Sequence, residues 1–367
     1  MDNPLKYFAE LRDPRVERNR EHLLEEVLLI AIAAVLSGAE SWNDIADYGE
    51  AKLSWLQTFL TLPSGIPSHD TFNRVFAALD PEQLEKGFVA WVGSIAKLTA
   101  GSVVAIDGKS LCGTRETGKK AIVHMVSAWA EGNGLVLAQR KVEEKSNEIT
   151  AIPKLLETLE LSGTVVTIDA MGCQKSVAEK IVQKKADYIL AVKQNQGNLL
   201  GGIKDSFQML RTDAVAEQID CGHGRVETRR CSVIADLSLV EKAAEWPSLQ
   251  GLVRIEAERH HPPRRATGKT ESQTRYYITS LQPDAARLNR AIRQHWGIEN
   301  KLHWVLDVGF GEDLSRKRAG HSAHNFSLLN RIALNILKQD KSSNRGIKGK
   351  RLNVAWDHPY LLKLLGI

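Results

Sequence analysis

The sequence predicts an α/β protein: an all-helical amino-terminal unit, a core of buried strands alternating with helices, and a β-rich insertion before the last helices. Three observations predict it. Residues 102–107 (SVVAID), 164–169 (TVVTID) and 187–192 (DYILAV) are short β-branched runs, the pattern of strands buried on both faces. Residues 1 to about 95 read as helix throughout, and residues 218 to 282 turn β-rich again.

Taken in order, 21–37 is a buried helix and 42–60 a second, amphipathic one. Pro63, Gly65, Pro67 and Ser68 form a turn, and Ser68 or Asp70 caps a helix running to about Leu79. Pro81 opens another helix reaching about Leu98. After the strand at 102–107, residues 121–130 and 135–142 form a hairpin around Glu131, Gly132, Asn133 and Gly134. A helix follows over about 151–160; Pro153 fits only a first turn, so Thr150 is its expected cap. Val177, Ala178, Ile181 and Val182 give the helix after the 164–169 strand its apolar face. Strands are expected at 225–235, 252–258 and 275–281, with a loop at 260–270 holding Pro262, Pro263, Arg264, Arg265 and Lys269. Helix resumes near Asp284, breaks at Gly297 and runs to about Leu306; a last long helix covers about 324–338.

A three-strand meander, then helix, strand, helix, strand, matches the order of the RNase H-like (retroviral integrase-like) fold, in which the first and fourth strands are neighbours. The chain then divides into a helical unit at 1–98, the core at 99–217 and 283–340, an inserted β unit at 218–282, and a basic segment at 341–367.

Composition excludes several classes. The net charge of +5 is mildly basic, which permits a nucleic-acid partner without demanding one. Lys338, Lys341, Arg345, Lys348, Lys350 and Arg351 against Asp340 read as a solvated tail or as phosphate contacts. The four cysteines form no C-x-x-C pair, against a zinc ribbon or a disulfide scaffold. The most apolar run, 27–36, is half the ~20 residues of a membrane span, and seven acids precede it, so neither a span nor a signal peptide is expected and the protein reads as cytoplasmic.

Asp107 and Asp169 each close a hydrophobic run. A carboxylate there sits at the edge of an open α/β sheet, where ligands approach. Two such groups side by side repel unless a cation lies between them, and oxygen-only ligands favour Mg²⁺ or Mn²⁺. In RQHWGIENKLHWVLD (293–307), His295, Glu299 and His303 recur every four residues and share a helical face, while Ile298, Leu302 and Val305 point to the core. That face suits a rigidly held ligand, although the stripe alone fits an ordinary charged helix or a zinc site lacking the H-E-x-x-H order. Gly108, Lys109 and Ser110 mimic the end of a phosphate loop, but Val103 stands where its first glycine is required.

These residues resemble a known family. IPSHDTFNRVF (66–76), VVAIDGKSLCGT (103–114), VTIDAMGCQ (166–174), YILAVKQNQGNL (188–199), IRQHWGIENKLHWVLDVGFGED (292–313) and RIALNIL (331–337) together resemble bacterial insertion-sequence DDE transposases, in particular the sub-family associated with the H-repeats of Rhs elements. The resemblance covers nearly the whole chain. It implies a catalytic and metal-binding triad of Asp107, Asp169 and Glu299, holding two Mg²⁺ or Mn²⁺ ions. It further implies cleavage at the ends of a mobile element and transfer of those ends into target DNA. Double-stranded DNA is the implied partner, both terminal repeats and target, with a homodimer or larger assembly on it. Many related transposases carry Tyr, Arg, Glu and Lys around the glutamate; here Ile292, His295 and Leu306 stand at the Tyr, Arg and Lys places. His295 therefore joins Lys109, Lys193 and Arg316 as a candidate DNA contact. The competing readings are a nuclease of the same core without strand transfer, a non-catalytic DNA-binding remnant, and a nucleotide-dependent enzyme, the last opposed by Val103.

Overall fold

The computed structural model describes residues 3–115, 122–143, 147–222, 225–261 and 269–367. The amino-terminal unit is helical: α1 Leu24–Leu36, α2 Trp42–Ala51, α3 Leu53–Leu56, α4 His69–Ala78 and α5 Pro81–Ile95. Every residue of α1 from Glu26 onward is buried, because its run is apolar on all sides and must be surrounded. Its one buried acid is held through one oxygen: Glu26 Oε1 accepts from the Thr61 amide (2.9 Å), the Thr61 hydroxyl (2.8 Å) and the Leu62 amide (3.0 Å), while Oε2 is buried without a partner. The single helix expected over 42–60 is broken at Lys52 into α2 and α3. Ser68 caps α4, its side chain accepting from the Thr71 amide at 3.2 Å.

The strands are β1 Val103–Leu111, β2 Val123–Ala130, β3 Leu135–Lys141, β4 Val165–Ile168, β5 Asp187–Val192, β6 Ala214–Gly222, β7 Arg225–Ile234, β8 Gly251–His261 and β9 Lys269–Thr279. They form one nine-stranded sheet in the order 3-2-1-4-5-9-8-7-6. β1, β4 and β5 are parallel to one another; every other pairing is antiparallel. The first and fourth strands are neighbours, as the chain order predicts.

Between and after the strands run α6 Glu148–Glu157, α7 Lys175–Gln183, α8 Gly197–Met209, α9 Ala285–His295, α10 Trp304–Phe310, α11 Ser322–Gln339, α12 Ile347–Trp356 and α13 His358–Leu365. They cover both faces. Val103, Val165 and Ile189 pack with Leu288 and Ile292 of α9 on one side; Val104, Val166, Ile168 and Leu190 join the larger core on the other. No helix among the described residues is long and apolar enough to cross a membrane.

Three expectations are corrected, and a fourth falls mostly outside the described residues. The strands of the 218–282 stretch do not stand apart as a small unit: β9 pairs with β5, so the insertion widens the core sheet. Of the loop expected at 260–270, residues 262–268 lie outside the described residues. Helix α6 starts at Glu148 with Asn147, not Thr150, as its cap; Pro153 lies inside it, one turn in. The 341–367 segment is neither a solvated tail nor free for phosphate throughout. It folds as α12 and α13, and Lys350 and Arg351 are buried. Lys350 donates to the carbonyls of Leu337 (2.9 Å) and Asp340 (2.6 Å), and Arg351 to those of Val35 (2.8 Å) and Ala39 (3.1 Å). These cations close carbonyls left open at helix ends.

α11 ties the amino-terminal helices to the sheet. Asn325 donates to the carbonyls of Phe76 (2.7 Å) and Leu79 (2.9 Å), while Asn335 exchanges two 2.9 Å bonds with the backbone of Val136 in β3. Arg331, fully buried, donates to Glu312 at 2.6 Å.

Candidate active site

The parallel register of β1 and β4 pairs Val103 with Val165 and ends at Ile106 with Ile168. The next residue on each chain is an aspartate, Asp107 and Asp169. Because side chains alternate along a strand, both belong to the sheet face that Val103 and Val165 present to α9. Asp169 closes its strand as expected, and its Oδ1 accepts from the Met171 amide at 3.0 Å. Asp107 does not. β1 continues to Leu111, because β2 keeps pairing with it: Asp107 lies opposite Ser127.

Glu299 reaches the same face from the chain following α9. Residues Ile298–His303 form a π-helix rather than the simple break expected at Gly297. Ile298 and Leu302 are buried beneath it. Such one-residue widenings cost helix regularity and recur at functional sites. Asp107, Asp169 and Glu299 all line one open cavity of about 400 Å³, which also receives Lys193, Lys204, Arg275, His295 and Trp296.

The carboxylates repel one another across it. Burial, then the charge of Asp169, push the Asp107 carboxyl up to about 7; Glu299 and Glu148 add to the shift and the Gly108 amide opposes it. Burial and then Glu148 raise Asp169, against amide hydrogen bonds from Met171 and Gly172 and the charge of Lys193. Burial also raises Glu299, with Arg275 and Lys193 opposing. Among the described residues no group of three His, Cys, Asp or Glu side chains is drawn together as a metal-holding cluster. The donor set still suits a hard cation: oxygen only, mutually repelling, and on one open cavity.

The two histidines of the stripe face the same way but are not cations. His295 Nδ1 meets the Thr167 hydroxyl at 2.9 Å, and burial lowers its pKa to about 4. His303 Nδ1 lies 3.5 Å from Asp107 Oδ2, and burial, then the charge of Arg331, lower it to about 3. Neutral rings fix neighbours; His295 offers no charge to a phosphate. Ile292 and Leu306, at the Tyr and Lys places of the signature, are core residues, 3% and 0% exposed.

The other candidate cations separate. Lys193 is exposed on the carboxylate cavity. Lys109 is buried, its ammonium held by Asp307 (2.6 and 2.8 Å) and Asp313 (3.0 Å), so it serves the fold. Arg316 lines a different cavity, with Glu40, His69 and Asn73.

Sequence reasoning missed Glu148 and His124. His124 Nε2 is 2.6 Å from Glu148 Oε1, and its Nδ1 is 2.9 Å from the Ser110 hydroxyl. Glu148 is the first residue of α6, and an Asn147 cap followed by a first-turn acid was the available signal. Arg275 and Trp296 were also missed; the guanidinium stacks 4.2 Å over the indole.

Residues 99–336 match the family model described as "Transposase DDE domain", and residues 5–92 match one described as "DDE_Tnp_1-associated". Over 370 residues the chain is 40% identical to YncI of Escherichia coli O157:H7, covering 98% of this chain and 94% of the relative. It is 37% identical over 377 residues to the H repeat-associated YhhI of Escherichia coli K12, covering 98% and 97%. Both relatives bear provisional transposase names. Among solved structures, a piggyBac transposase synaptic complex with hairpin DNA aligns with TM-score 0.44 and 12% identity, covering 98% of this chain and 76% of that one. The two family models together span nearly all of the chain, and the chain belongs to the DDE transposase family.

Proposed function

We propose that this chain cuts DNA at the ends of a mobile element and joins those ends to target DNA by in-line phosphoryl transfer, with Asp107, Asp169 and Glu299 as its catalytic carboxylates. The single observation that carries this is the β1–β4 register, which sets two aspartates side by side on the face where Glu299 lines the same cavity. The order 3-2-1-4-5 of the first five strands supports reading the core as RNase H-like, with the 214–279 strands as an extension of its edge.

The carboxylates fit Mg²⁺ or Mn²⁺, and Asp107, Asp169 and Glu299 would hold the ions. When bound, a pair of divalent ions supplies the positive charge that activates an attacking oxygen and stabilises the departing one at phosphorus. The remaining work falls to the chain. Lys193, exposed at the cavity and already pulling on Asp169 and Glu299, is placed to meet a strand phosphate. His295, neutral, hydrogen-bonds Thr167 near the end of β4, and His303, also neutral, lies beside Asp107 without adding charge. One phosphodiester replaces another in the joining step, so no external energy source is needed. Residues 1–98 are the proposed additional DNA-binding unit, and two element ends held together call for a dimer or larger assembly on DNA.

The test is a duplex carrying the inverted repeat that flanks the gene, with Mg²⁺. Asp107→Asn, Asp169→Asn and Glu299→Gln should each abolish nicking while DNA binding persists. A variant that nicks at the wild-type rate removes that residue from the triad. A pre-cut end offered with a target plasmid yields joined product from a transposase and none from a plain nuclease.

A further inference from the structure

Beside the carboxylate cavity lies a second one, of about 220 Å³, that none of the chemistry above uses. Its floor is one face of the insertion. Strand register sets Glu227 opposite Arg259, Arg229 opposite Ala257, and Ala257 opposite Gln273, with Ile255 and Arg275 one pair further along. Ala257 is the small residue at the centre of this face, and the space above it is the hollow. The roof is α9, with Arg293 and its capping residue Trp296, and the π-helix, with Glu299 and Asn300.

The charge inside is unbalanced. Arg229, Arg259, Arg275 and Arg293 line the hollow, against Glu227 within it and Glu299 at its mouth. Glu227, 3% exposed, receives Arg229 at 2.8 Å and Arg259 at 3.6 Å. Burial would raise its pKa, but the Arg229 hydrogen bond and the charges of Arg229, Arg259 and Arg293 hold it below the usual carboxylate range, so it is fully ionised. One carboxylate does not satisfy the group. Arg229 is 5% exposed, and its Nη1 is buried with no hydrogen-bond partner; Arg259 Nε is likewise unpartnered. A buried guanidinium nitrogen left without an acceptor, as Arg229 Nη1 is, is costly, and forked donors match phosphate oxygens. The hollow shares Arg275, Trp296 and Glu299 with the carboxylate cavity, so an anion seated here adjoins whatever occupies that cavity.

We propose that this arginine-lined hollow between the β7–β9 face and α9 is a binding site for a backbone phosphodiester of the DNA strand that enters the carboxylate cavity. The assignment to DNA rests on the cutting function proposed above; the anion chemistry stands without it. The insertion then does more than extend the sheet: it grips the strand next to the reacting bond, which fixes where along the strand the carboxylates act.

The test uses the full chain in EDTA, a fluorescein-labelled single-stranded thymidine decamer, and anisotropy across a NaCl series. Arg259→Gln and Arg293→Gln should each weaken binding by about tenfold. Each should also reduce the slope of log Kd against log salt by about 0.7, the value for one single-strand phosphate. Arg293→Lys keeps the charge and should keep the slope. A decamer with neutral methylphosphonate linkages should bind wild type and both glutamine variants alike. Unchanged affinity and slope in both glutamine variants, with wild-type melting temperatures, overturns the site. Inorganic phosphate that displaces the decamer from wild type at the decamer's own concentration makes this a free-anion pocket and overturns the DNA assignment. Asp107→Asn removes a negative charge from the cavity and should bind the decamer at least as tightly as wild type whether or not it nicks, so failure of the cutting function and failure of this site are read in separate assays.

Discussion

Asp107 and Asp169 follow directly on Ile106 and Ile168, the last paired residues of two parallel strands, and so stand side by side although 62 positions separate them in the chain. Backbone pairing brings them together, and nothing in their own chemistry favours it. The raised pKa of Asp107 is the record of that cost: it sits at about 7, first through burial and then through Asp169.

A pH dependence follows. Asp107 has a folded-state pKa above its ordinary value, so its protonated form is favoured in the folded chain. Its contribution to stability is full below about pH 4 and is lost as pH rises through about 7. In EDTA, the melting temperature of wild type relative to Asp107→Asn should therefore fall between those limits. Mg²⁺ should restore it most at pH 8 and least at pH 5, because only the ionised carboxylates attract the ion. A wild-type-minus-variant difference that is flat with pH, by differential scanning fluorimetry, contradicts the raised pKa.

Glu148 should move the same titration. Its charge raises both Asp107 and Asp169, and His124 holds it in place at 2.6 Å. Glu148→Gln removes that charge, so the acidic limb of the nicking rate should shift to lower pH. His124→Ala frees Glu148 without neutralising it and should not reproduce the shift. A pH–rate profile of each variant decides this; identical acidic limbs in wild type and Glu148→Gln would remove Glu148 from the electrostatics of the site.

The difference between what could be read and what could not is physical. The strands before Asp107 and Asp169 were legible because burial on both faces demands unbroken β-branched runs. Glu299 was legible because a four-residue spacing marks one helix face. The π-helix carrying it was not, since one extra residue per turn leaves no trace in composition. The pairing of β9 with β5 was invisible for a related reason: a strand's sequence shows its burial, not its neighbour. Lys350 and Arg351 looked like a solvated run, yet carbonyls at helix ends took them into the interior.

Arg331 and Glu312 form an ion pair with 0% and 2% of their side chains exposed, between α11 and the turn after α10. Removing one partner strands the other charge in the core. Arg331→Met should destabilise the protein by about 3–5 kcal/mol. The double change Arg331→Met with Glu312→Gln should recover a large part of that loss, because neither charge then remains buried. Urea unfolding of the single and double variants checks it; equal losses in both would mean that packing, not charge, is what Arg331 supplies.

Lys109 and Lys193 look alike as sequence, each following a motif aspartate or strand end by a residue or two, but the structure gives them opposite surroundings. Lys109 is 8% exposed and held by two carboxylates, while Lys193 stands exposed on the cavity. Lys109→Met should therefore cost about 1–3 kcal/mol of stability, since Asp307 and Asp313 lose their shared donor but keep partial contact with water. Its salt slope for DNA binding should match wild type. Lys193→Gln should do the reverse: an unchanged melting temperature, with a slope lower by about 0.9 on duplex DNA. Melting curves paired with a salt titration separate the two, and a reduced slope for Lys109→Met in a stably folded protein would return that lysine to the DNA surface.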